Sequence, residues 1–434
     1  MRAIAHIDCD AFFTSCEEAR DPSLKGRPIV TGKERGIIAC ANYRAKAIGI
    51  RRGLSLRDAK LLCPGLVVLP SDYETYSIYS ERVFGIIRRF TPEVEEFSID
   101  EAFCDLTGLR RLYRTSYEKI AASIKETIQK ELDITVSVGL SLTKTLAKIC
   151  SRHNKPDGFT AVTGYELDTF LKGIPLDRVC GFGPNTVGLL NKCGIEDVAG
   201  FVKRPLDFAD RLLGKVGREL WQELHGIPIY AVSAGRKERY LSISKTKTFS
   251  PQSSDRDDVK AQLIRNVEAA FIKLRRHGLS AKTLSIYLRK KDFRSTSLSG
   301  ELNRHSSSTL DFVGLAARMF EAIFEEGVSY RATGVVLSDI VQEGVDSRTL
   351  FDDPVSLLKI SDLSKAVDTI NGSYGKYAVH IASANAALSD RKEHPRNDIS
   401  WRKTALLKGE TFRRRLDLPL LKICGSLLGN QQIP

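Results

Sequence analysis

Two adjacent acids interrupt an apolar stretch that otherwise has the pattern of a strand, Phe97-Ser98-Ile99-Asp100-Glu101-Ala102-Phe103. Burying two like charges side by side is costly unless a strong positive charge neutralises them, and a divalent metal ion is the usual partner. Neighbouring strand side chains point to opposite faces, so Asp100 and Glu101 can converge on one ion only at a turn or strand end. The alternative is a pair of solvated turn residues.

A further carboxylate follows an apolar strand at the N-terminus, in Ala3-Ile4-Ala5-His6-Ile7-Asp8-Cys9-Asp10-Ala11-Phe12-Phe13. Asp8, Asp100 and Glu101 would form a carboxylate cluster on two strands. Clusters of this type hold hard, oxygen-seeking ions such as Mg²⁺. The partner strand therefore favours the metal site over the solvated turn.

The composition is that of a globular protein with two to four domains, since 434 residues include 42% hydrophobic and 27% charged side chains. We expect a cytoplasmic protein without a membrane span, because Asp8 interrupts any signal-peptide core. Nine cysteines without a C-x-x-C pair predict reduced core residues. The net charge of +13 favours a polyanionic partner, although a basic balance is often a solvated surface.

The first 164 residues alternate short apolar strands with amphipathic helices, which predicts an α/β or α+β domain. Strands are predicted over 94–100 and 102–106, and a helix over 73–90. Two basic features in this region suit a triphosphate: Tyr43 to Lys46 at a helix start, and the turn Asn154-Lys155-Pro156-Asp157-Gly158. Their alternatives are an exposed helix face and an ordinary turn.

From about Leu167 the pattern changes to short helices. The stretch from Val179 to Gly194 has the form of a helix-hairpin-helix, in which Gly181 and Gly183 would present backbone N–H groups to a DNA phosphate. The alternative is an ordinary helical hairpin closed by glycines.

A basic linker is predicted from Gly235 to Thr248, and it contains Lys245 and Lys247. A small α+β sandwich follows, with helices over 256–276 and 309–326 and strands over 283–289 and 331–338. In the first of these strands Leu284, Ile286 and Leu288 alternate with Thr283, Ser285, Tyr287 and Arg289. The polar, basic sheet face suits a nucleic-acid backbone. The predicted DNA contacts are Arg289 on this face and Lys245 and Lys247 in the linker.

The pattern weakens after Ile340. A linker is predicted over 344–354, with Leu350 and Phe351 exposed in it, and a helix over 362–371. The basic region 388–418 is predicted to be partly disordered.

Together these pieces resemble the Y-family (DinB/UmuC-type) translesion DNA polymerases along almost the whole chain. The likeness rests on motifs in the family's order: His6 to Phe13, Ala41-Asn42-Tyr43, Ser98 to Phe103, Thr143 to Lys148, Lys155 to Gly158 and the hairpin at Gly181 to Gly183. The core resembles DNA polymerase IV and UmuC alike, while 100–108 and 330–354 are more similar to UmuC.

The resemblance implies an α+β multidomain fold, a right-hand polymerase. It places the palm and fingers in residues 1–164, a helix-hairpin-helix thumb in 165–234, a linker and an α/β-sandwich little finger in 235–341, and an extension in 342–434. The activity it implies is low-fidelity, template-directed insertion of dNTPs opposite damaged bases by two-metal phosphoryl transfer. The implied cofactor is two Mg²⁺ ions.

The resemblance also implies the role of individual residues. Asp8, Asp100 and Glu101 match the catalytic, metal-binding carboxylates, and the main-chain carbonyl of Cys9 matches a further metal ligand. The implied nucleotide contacts are Phe12, Phe13 as the steric gate against ribose, Tyr43, Lys46 and Lys155. Lys46 stands where the family commonly has arginine, which keeps the charge but loses the bidentate fork.

The expected partners are primer-template DNA and dNTPs, and we expect a monomer. The segment Ser347-Arg348-Thr349-Leu350-Phe351 keeps the Leu-Phe anchor of a sliding-clamp peptide without its glutamine. Alternatives remain: a UmuC-like subunit that needs a UmuD-like accessory protein, a non-catalytic DNA-binding protein, or a nucleotide cyclase. The last would not explain the hairpin or the basic sheet.

Overall fold

A computed structural model describes residues 2–235, 240–343, 354–374 and 377–387. The described residues form two compact units, one up to residue 235 and the other from residue 240. Among these residues, every helix is too short or too polar to cross a membrane.

The first unit is built around a five-stranded sheet in the order β5-β6-β1-β7-β8. Its central strand β1 is buried along nearly its whole length because it has a neighbour on each side. A three-stranded sheet, β3-β2-β4, has a small core of its own. The strands are β1 Ile4–Cys9, β2 Ile29–Thr31, β3 Cys40–Ala41, β4 Val67–Leu69, β5 Val94–Glu96, β6 Glu101–Asp105, β7 Val136–Ser141 and β8 Phe159–Ala161.

Helices cover both faces of the five-stranded sheet. One face packs with side chains of α4 and α6 in the largest core of the unit, and the other face packs against α7. The helices up to this point are α1 Phe12–Arg20, α2 Tyr43–Ala47, α3 Leu56–Leu62, α4 Tyr73–Arg88, α5 Leu109–Tyr113, α6 Tyr117–Leu132 and α7 Lys144–His153. The helix predicted over 73–90 is thereby confirmed.

The strand predicted over 94–100 is wrong beyond Glu96. The N–H groups of Phe97 and Ser98 both donate to the carbonyl oxygen of Glu101, at 3.1 Å each, and close a tight turn. This turn ends β5 and places Asp100 in a bend directly before β6. An apolar pattern alone could not reveal the turn, because Phe97 and Ile99 fit a strand equally well.

The remainder of the first unit is helical, with α8 Leu167–Phe170, α9 Pro184–Lys192, α10 Val198–Val202 and α11 Leu206–Leu224. In α11 two helical segments meet at Gly214, whose φ of 64° is not helical. Gly181 also has a positive φ, 108°, and a Cβ there would lie 3.0 Å from Leu220. This turn therefore requires glycine.

The second unit has a four-stranded sheet in the order β11-β10-β12-β9. Two helices pack against it around a single apolar core, and a third follows. The elements are β9 Ser242–Ser253, α12 Arg256–Arg276, β10 Leu279–Lys290, β11 Ser295–Ser306, α13 Thr309–Ile323, β12 Tyr330–Gln342 and α14 Pro354–Tyr374. The predicted alternation in β10 is confirmed, since Leu284, Ile286 and Leu288 are all buried.

The linker predicted over 235–248 is wrong from Ser242 onward, because β9 begins there. Ile243 and Phe249 are buried on the same face of β9, and the basic residues between them hid this pattern in the sequence. Strand β11 was also missed, because its serine-rich pattern lacks a regular apolar face. The helix predicted over 362–371 is confirmed as part of α14.

Candidate active site

Strand register places Asp8 directly opposite Glu101, at the ends of β1 and β6. The N–H of Cys9 donates to the carbonyl oxygen of Asp100 at 2.8 Å, which joins the strand end to the turn. Two of the three predicted carboxylates are therefore neighbours on one sheet face, and Asp100 follows from the turn beside them.

Glu101 lies between a lysine and a histidine on this face. Lys148 Nζ in α7 donates to Glu101 Oε1 at 2.9 Å, and His6 Nε2 is 3.2 Å from Oε2. Burial opposes the charge of the carboxylate, but the contacts with His6 and Lys148 outweigh it and lower the pKa of Glu101 to about 2. Glu101 is therefore ionised throughout the physiological range.

His6 is fully buried, and its Nδ1 is 2.7 Å from Ser151 Oγ. Burial lowers the pKa of this imidazole, which favours the neutral ring. His6, Asp8 and Glu101 each offer a ligand atom, and these atoms lie within 4.8 Å of one another. Two carboxylates and a neutral imidazole at this spacing fit a divalent cation.

Asp8 contacts an ammonium group, Lys155 Nζ, through its Oδ1. Burial raises the pKa of Asp8, and the charge of Lys155 opposes that shift. Lys155 precedes Pro156 in the turn that follows α7, where the sequence predicted a triphosphate contact. The structure thus brings this lysine directly to the carboxylate site.

Asp100 accepts a hydrogen bond from Ser98 Oγ at its Oδ1 and stands outside the group of three that the ligand distances define. The side chain of Cys9 packs in the apolar core, so only its main chain is left at the site. Both positions remain predicted ligands on the basis of the sequence.

The two phenylalanines after Asp10 have different surroundings. Phe12 is only 3% exposed and its side chain packs in the core, and its contact with a nucleotide stays a prediction from the sequence. Phe13 is half-buried and stacks on Tyr76 with ring centroids 4.4 Å apart and 11° between the planes. The Tyr73 ring meets Phe13 edge-on at 5.5 Å. The Phe13 ring is thereby packed between two tyrosine rings.

Tyr43 and Lys46 lie on the short helix α2. Asn42 caps this helix by accepting the N–H of Ala45 at 3.0 Å. Lys46 Nζ is 4.1 Å from the centre of the Tyr43 ring, and the Tyr43 hydroxyl is 3.4 Å from Asp10 Oδ1. Both predicted triphosphate contacts therefore share one helix start near the carboxylates.

Sequence reasoning missed His6, Asp10 and Lys148. His6 could have been found because it is two residues before Asp8 and so shares its strand face. Lys148 offered no comparable signal, since its position opposite Glu101 depends on how α7 packs across the sheet.

The predicted DNA contacts are spread over both units. Gly181 and Gly183 are exposed beside the N-terminus of α9. Arg289 lies on the open face of the second sheet. Leu350 and Phe351 lie outside the described residues.

Lys245 and Lys247 lie on the opposite face of that sheet from Tyr287. They are in register with Val335 and Thr333, whereas Thr246 between them contacts the Tyr287 hydroxyl at 2.6 Å. The two lysines are therefore on the helix-covered face of a strand, where the sequence predicted a linker, and their contact with DNA stays a prediction.

The structure of the chain is similar to that of a Y-family DNA polymerase chimera, Dbh-Dpo4(243-245)-Dbh, with a TM-score of 0.68 and 23% identity over 79% of this chain and 100% of the other. The fold is thus that of a Y-family polymerase. Residues 7–152 match the model of the impB/mucB/samB family, and residues 241–350 match the model of its C-terminal domain.

DNA polymerase IV of Lactococcus lactis subsp. cremoris is 35% identical over 80% of this chain and 96% of the relative. DNA polymerase IV of Caulobacter vibrioides is 30% identical over 87% of this chain and 93% of the relative. DNA polymerase IV of Moorella thermoacetica is 31% identical over 88% of this chain and 95% of the relative. The chain belongs to the impB/mucB/samB family, and these relatives are named DNA polymerase IV.

Proposed function

We propose that this chain is a DNA-directed DNA polymerase of low fidelity that inserts dNTPs opposite damaged template bases. The observation that carries the proposal is the register of β1 and β6, which places Asp8 opposite Glu101 and beside the turn that holds Asp100. Three carboxylates at two strand ends, with Lys148 and Lys155 against them, are suited to phosphoryl transfer.

We propose that Asp8, Asp100, Glu101 and the Cys9 carbonyl would hold two Mg²⁺ ions. When bound, the ions would supply the charge that activates the primer 3′-OH and neutralises the triphosphate. The chain's own residues prepare for this, because Lys148 and His6 keep Glu101 ionised and fix its orientation.

Tyr43, Lys46 and Lys155 would bind the triphosphate of the incoming nucleotide. Phe13 would exclude a ribose 2′-OH by its volume, and its stacking on Tyr76 keeps the ring in place. Phe13→Ala should therefore admit ribonucleotides. Unchanged discrimination between dNTP and rNTP would remove this assignment.

We assign the palm and fingers to residues 1–164, the thumb to 165–234, the little finger to 240–341 and an extension to the residues after it. The separate apolar core of the second unit supports the boundary of the little finger, whereas the core of the thumb also includes Leu146 and Ile149 of α7. Gly181, Gly183 and Arg289 would contact DNA phosphates without reading sequence. With about six such contacts, log K should fall with log salt at a slope near −5, and a flat response would contradict this role.

Leu350 and Phe351 are proposed as a weak clamp-binding anchor. A clamp pull-down that is unaffected by Leu350→Ala with Phe351→Ala would remove this idea. We further propose that the chain is a monomer and that any UmuD-like partner assists activity.

The decisive experiment is primer extension by the purified chain alone, on undamaged and abasic templates. We expect extension on both, with Asp100→Asn abolishing it while primer-template affinity is unchanged. Activity only after addition of accessory proteins would indicate a UmuC-like subunit. A chain that binds DNA but never extends a primer would be a non-catalytic accessory protein, which the retained carboxylates argue against.

A further inference from the structure

Asp10 is 1% exposed and lies just past the end of β1. Four donors surround its carboxylate. Ser137 Oγ donates to Oδ1 at 2.9 Å, and the N–H of Asp157 donates to Oδ2 at 2.7 Å. The Tyr43 hydroxyl and Lys155 Nζ are 3.4 Å and 3.5 Å from Oδ1.

These donors come from distant parts of the chain. Ser137 belongs to β7, Tyr43 to α2, and Lys155 and Asp157 to the turn after α7. A buried carboxylate is costly unless hydrogen bonds satisfy it, and this set does so. One buried charge thus contacts two of the three side chains that we assign to the triphosphate, Tyr43 and Lys155.

Lys155 is shared between two acids, because its ammonium group contacts both Asp8 and Asp10. A cation bound at Asp8 would repel Lys155, and Asp10 would then be its remaining carboxylate partner. An ammonium group has three donors, so Lys155 can keep its contact with Asp10 and still donate to a phosphate oxygen.

We propose that Asp10 is a positioning residue that holds Lys155 and Tyr43 within reach of the triphosphate of the incoming nucleotide. This inference rests on the proposed polymerase function. Asp10 itself does not touch the nucleotide, since its oxygens are directed at the four donors in the protein. The charge of Asp10 sets the positions of the Lys155 ammonium group and the Tyr43 hydroxyl.

A purely structural role is the competing explanation, because Asp10 also fixes the turn through the N–H of Asp157. Loss of that contact would lower the melting temperature and impair every activity together. Loss of a positioning role would weaken nucleotide binding and leave DNA binding and the maximal rate nearly intact. The two explanations therefore differ in the ratio of KM to kcat.

The test is Asp10→Asn, which removes the charge and keeps the shape. Nucleotide affinity is measured on a primer ending in a 2′,3′-dideoxynucleotide, where dNTP binds without reacting, and KM and kcat are measured on a normal primer. We expect dNTP affinity about tenfold weaker and KM raised to match. The value of kcat should stay within about threefold, and DNA affinity should be unchanged.

Ser137→Ala is the matched control, because it removes one hydrogen bond to Asp10 and keeps the charge. We expect it to weaken dNTP affinity less than about threefold. Lys155→Met in the wild-type and Asp10→Asn backgrounds then tests the coupling. If Asp10 acts through Lys155, the two substitutions together should cost clearly less than the product of their separate effects.

Unchanged dNTP affinity in folded Asp10→Asn would overturn the proposal, and so would independent effects of Asp10→Asn and Lys155→Met. If Asp10→Asn does not fold, Tyr43→Phe combined with Lys155→Met decides, because independent effects of that pair would equally exclude a shared anchor. Failure of the polymerase assignment would look different, since the wild-type chain would then extend no primer.

Discussion

Glu101 in the first unit and Glu268 in the second are both packed inside their units, yet their surroundings shift their pKa values in opposite directions. Glu101 is held by Lys148 and His6, and despite its burial its pKa is lowered to about 2. Glu268 in α12 accepts the N–H of Ile381 at 2.7 Å through Oε1, while its Oε2 has no hydrogen-bond partner among the described residues. Burial raises the pKa of Glu268.

The difference indicates two purposes for a buried acid. Glu101 is kept ionised by its contacts with Lys148 and His6, as a metal-binding catalytic site requires. Glu268 instead anchors the segment 377–387 onto α12, where Ala384 and Ala387 are buried. The matched substitution of each glutamate by glutamine therefore separates a catalytic charge from a structural one.

Glu101→Gln should have the largest effect. We expect primer extension to fall by more than about 10³-fold, because a metal ligand is lost. Stability should fall as well, by about 3 kcal/mol, because Lys148 is left as a buried cation without its partner. Single-turnover extension and denaturant unfolding measure the two effects.

Combining Glu101→Gln with Lys148→Met provides the control. The double variant should regain much of the lost stability and none of the activity. Activity that returned together with stability would show that Glu101 is structural and would erase its contrast with Glu268.

Lys148→Met alone should have a smaller effect on activity. Glu101 then keeps only its contact with His6, so we expect metal affinity and extension to fall by about 10- to 100-fold, as for other residues that orient a ligand. A titration of extension rate against Mg²⁺ should show a higher midpoint. An unchanged midpoint would contradict the orienting role of Lys148.

The sequence was sufficient for those parts of the site that depend on local pattern. Asp8 at a strand end and Asp100-Glu101 at a turn followed from apolar runs interrupted by acids, although only the backbone hydrogen bonds to Glu101 revealed where β5 ends. Basic local features pointed to Tyr43 and Lys155, and family resemblance added Phe13; the roles of all three remain predictions.

The remaining contacts of the site depend on tertiary packing, which the sequence pattern does not show. Lys148 meets Glu101 across the sheet, and Asp10 gathers donors from three distant segments, so neither contact has a signature in spacing. At Lys245 the basic composition predicted a linker, whereas the structure has a strand in which Lys245 pairs with Val335. Pairing is a long-range property, and single-residue propensity does not encode it.

Asp368→Asn tests the attachment of the C-terminal segment in the second unit. Asp368 in α14 receives two hydrogen bonds from Arg275, at 2.7 and 2.8 Å, and Arg275 is nearly buried. We expect unfolding free energy to fall by about 1–2 kcal/mol, with primer extension by the folded protein unchanged. Asp362→Asn is the matched control, because Asp362 is exposed on the same helix. Equal effects of the two variants would exclude an anchoring pair.

Glu268→Gln should have the smallest effect, and its sign should depend on pH. Because the pKa of Glu268 is raised in the folded state above its ordinary 4.5, folding favours the protonated acid. The wild-type chain therefore gains stability from this group below pH 4.5 and loses it as the pH rises through the higher folded pKa. Glutamine stays neutral and keeps an oxygen for Ile381.

The difference in unfolding free energy between Glu268→Gln and wild type should consequently shift in favour of the variant by up to about 1 kcal/mol between pH 4.5 and pH 8. Denaturant unfolding at the two pH values measures it. A shift toward the wild type over that range would mean that Arg265 and His380 pair with Glu268 as Lys148 pairs with Glu101, and the contrast between the two glutamates would then disappear.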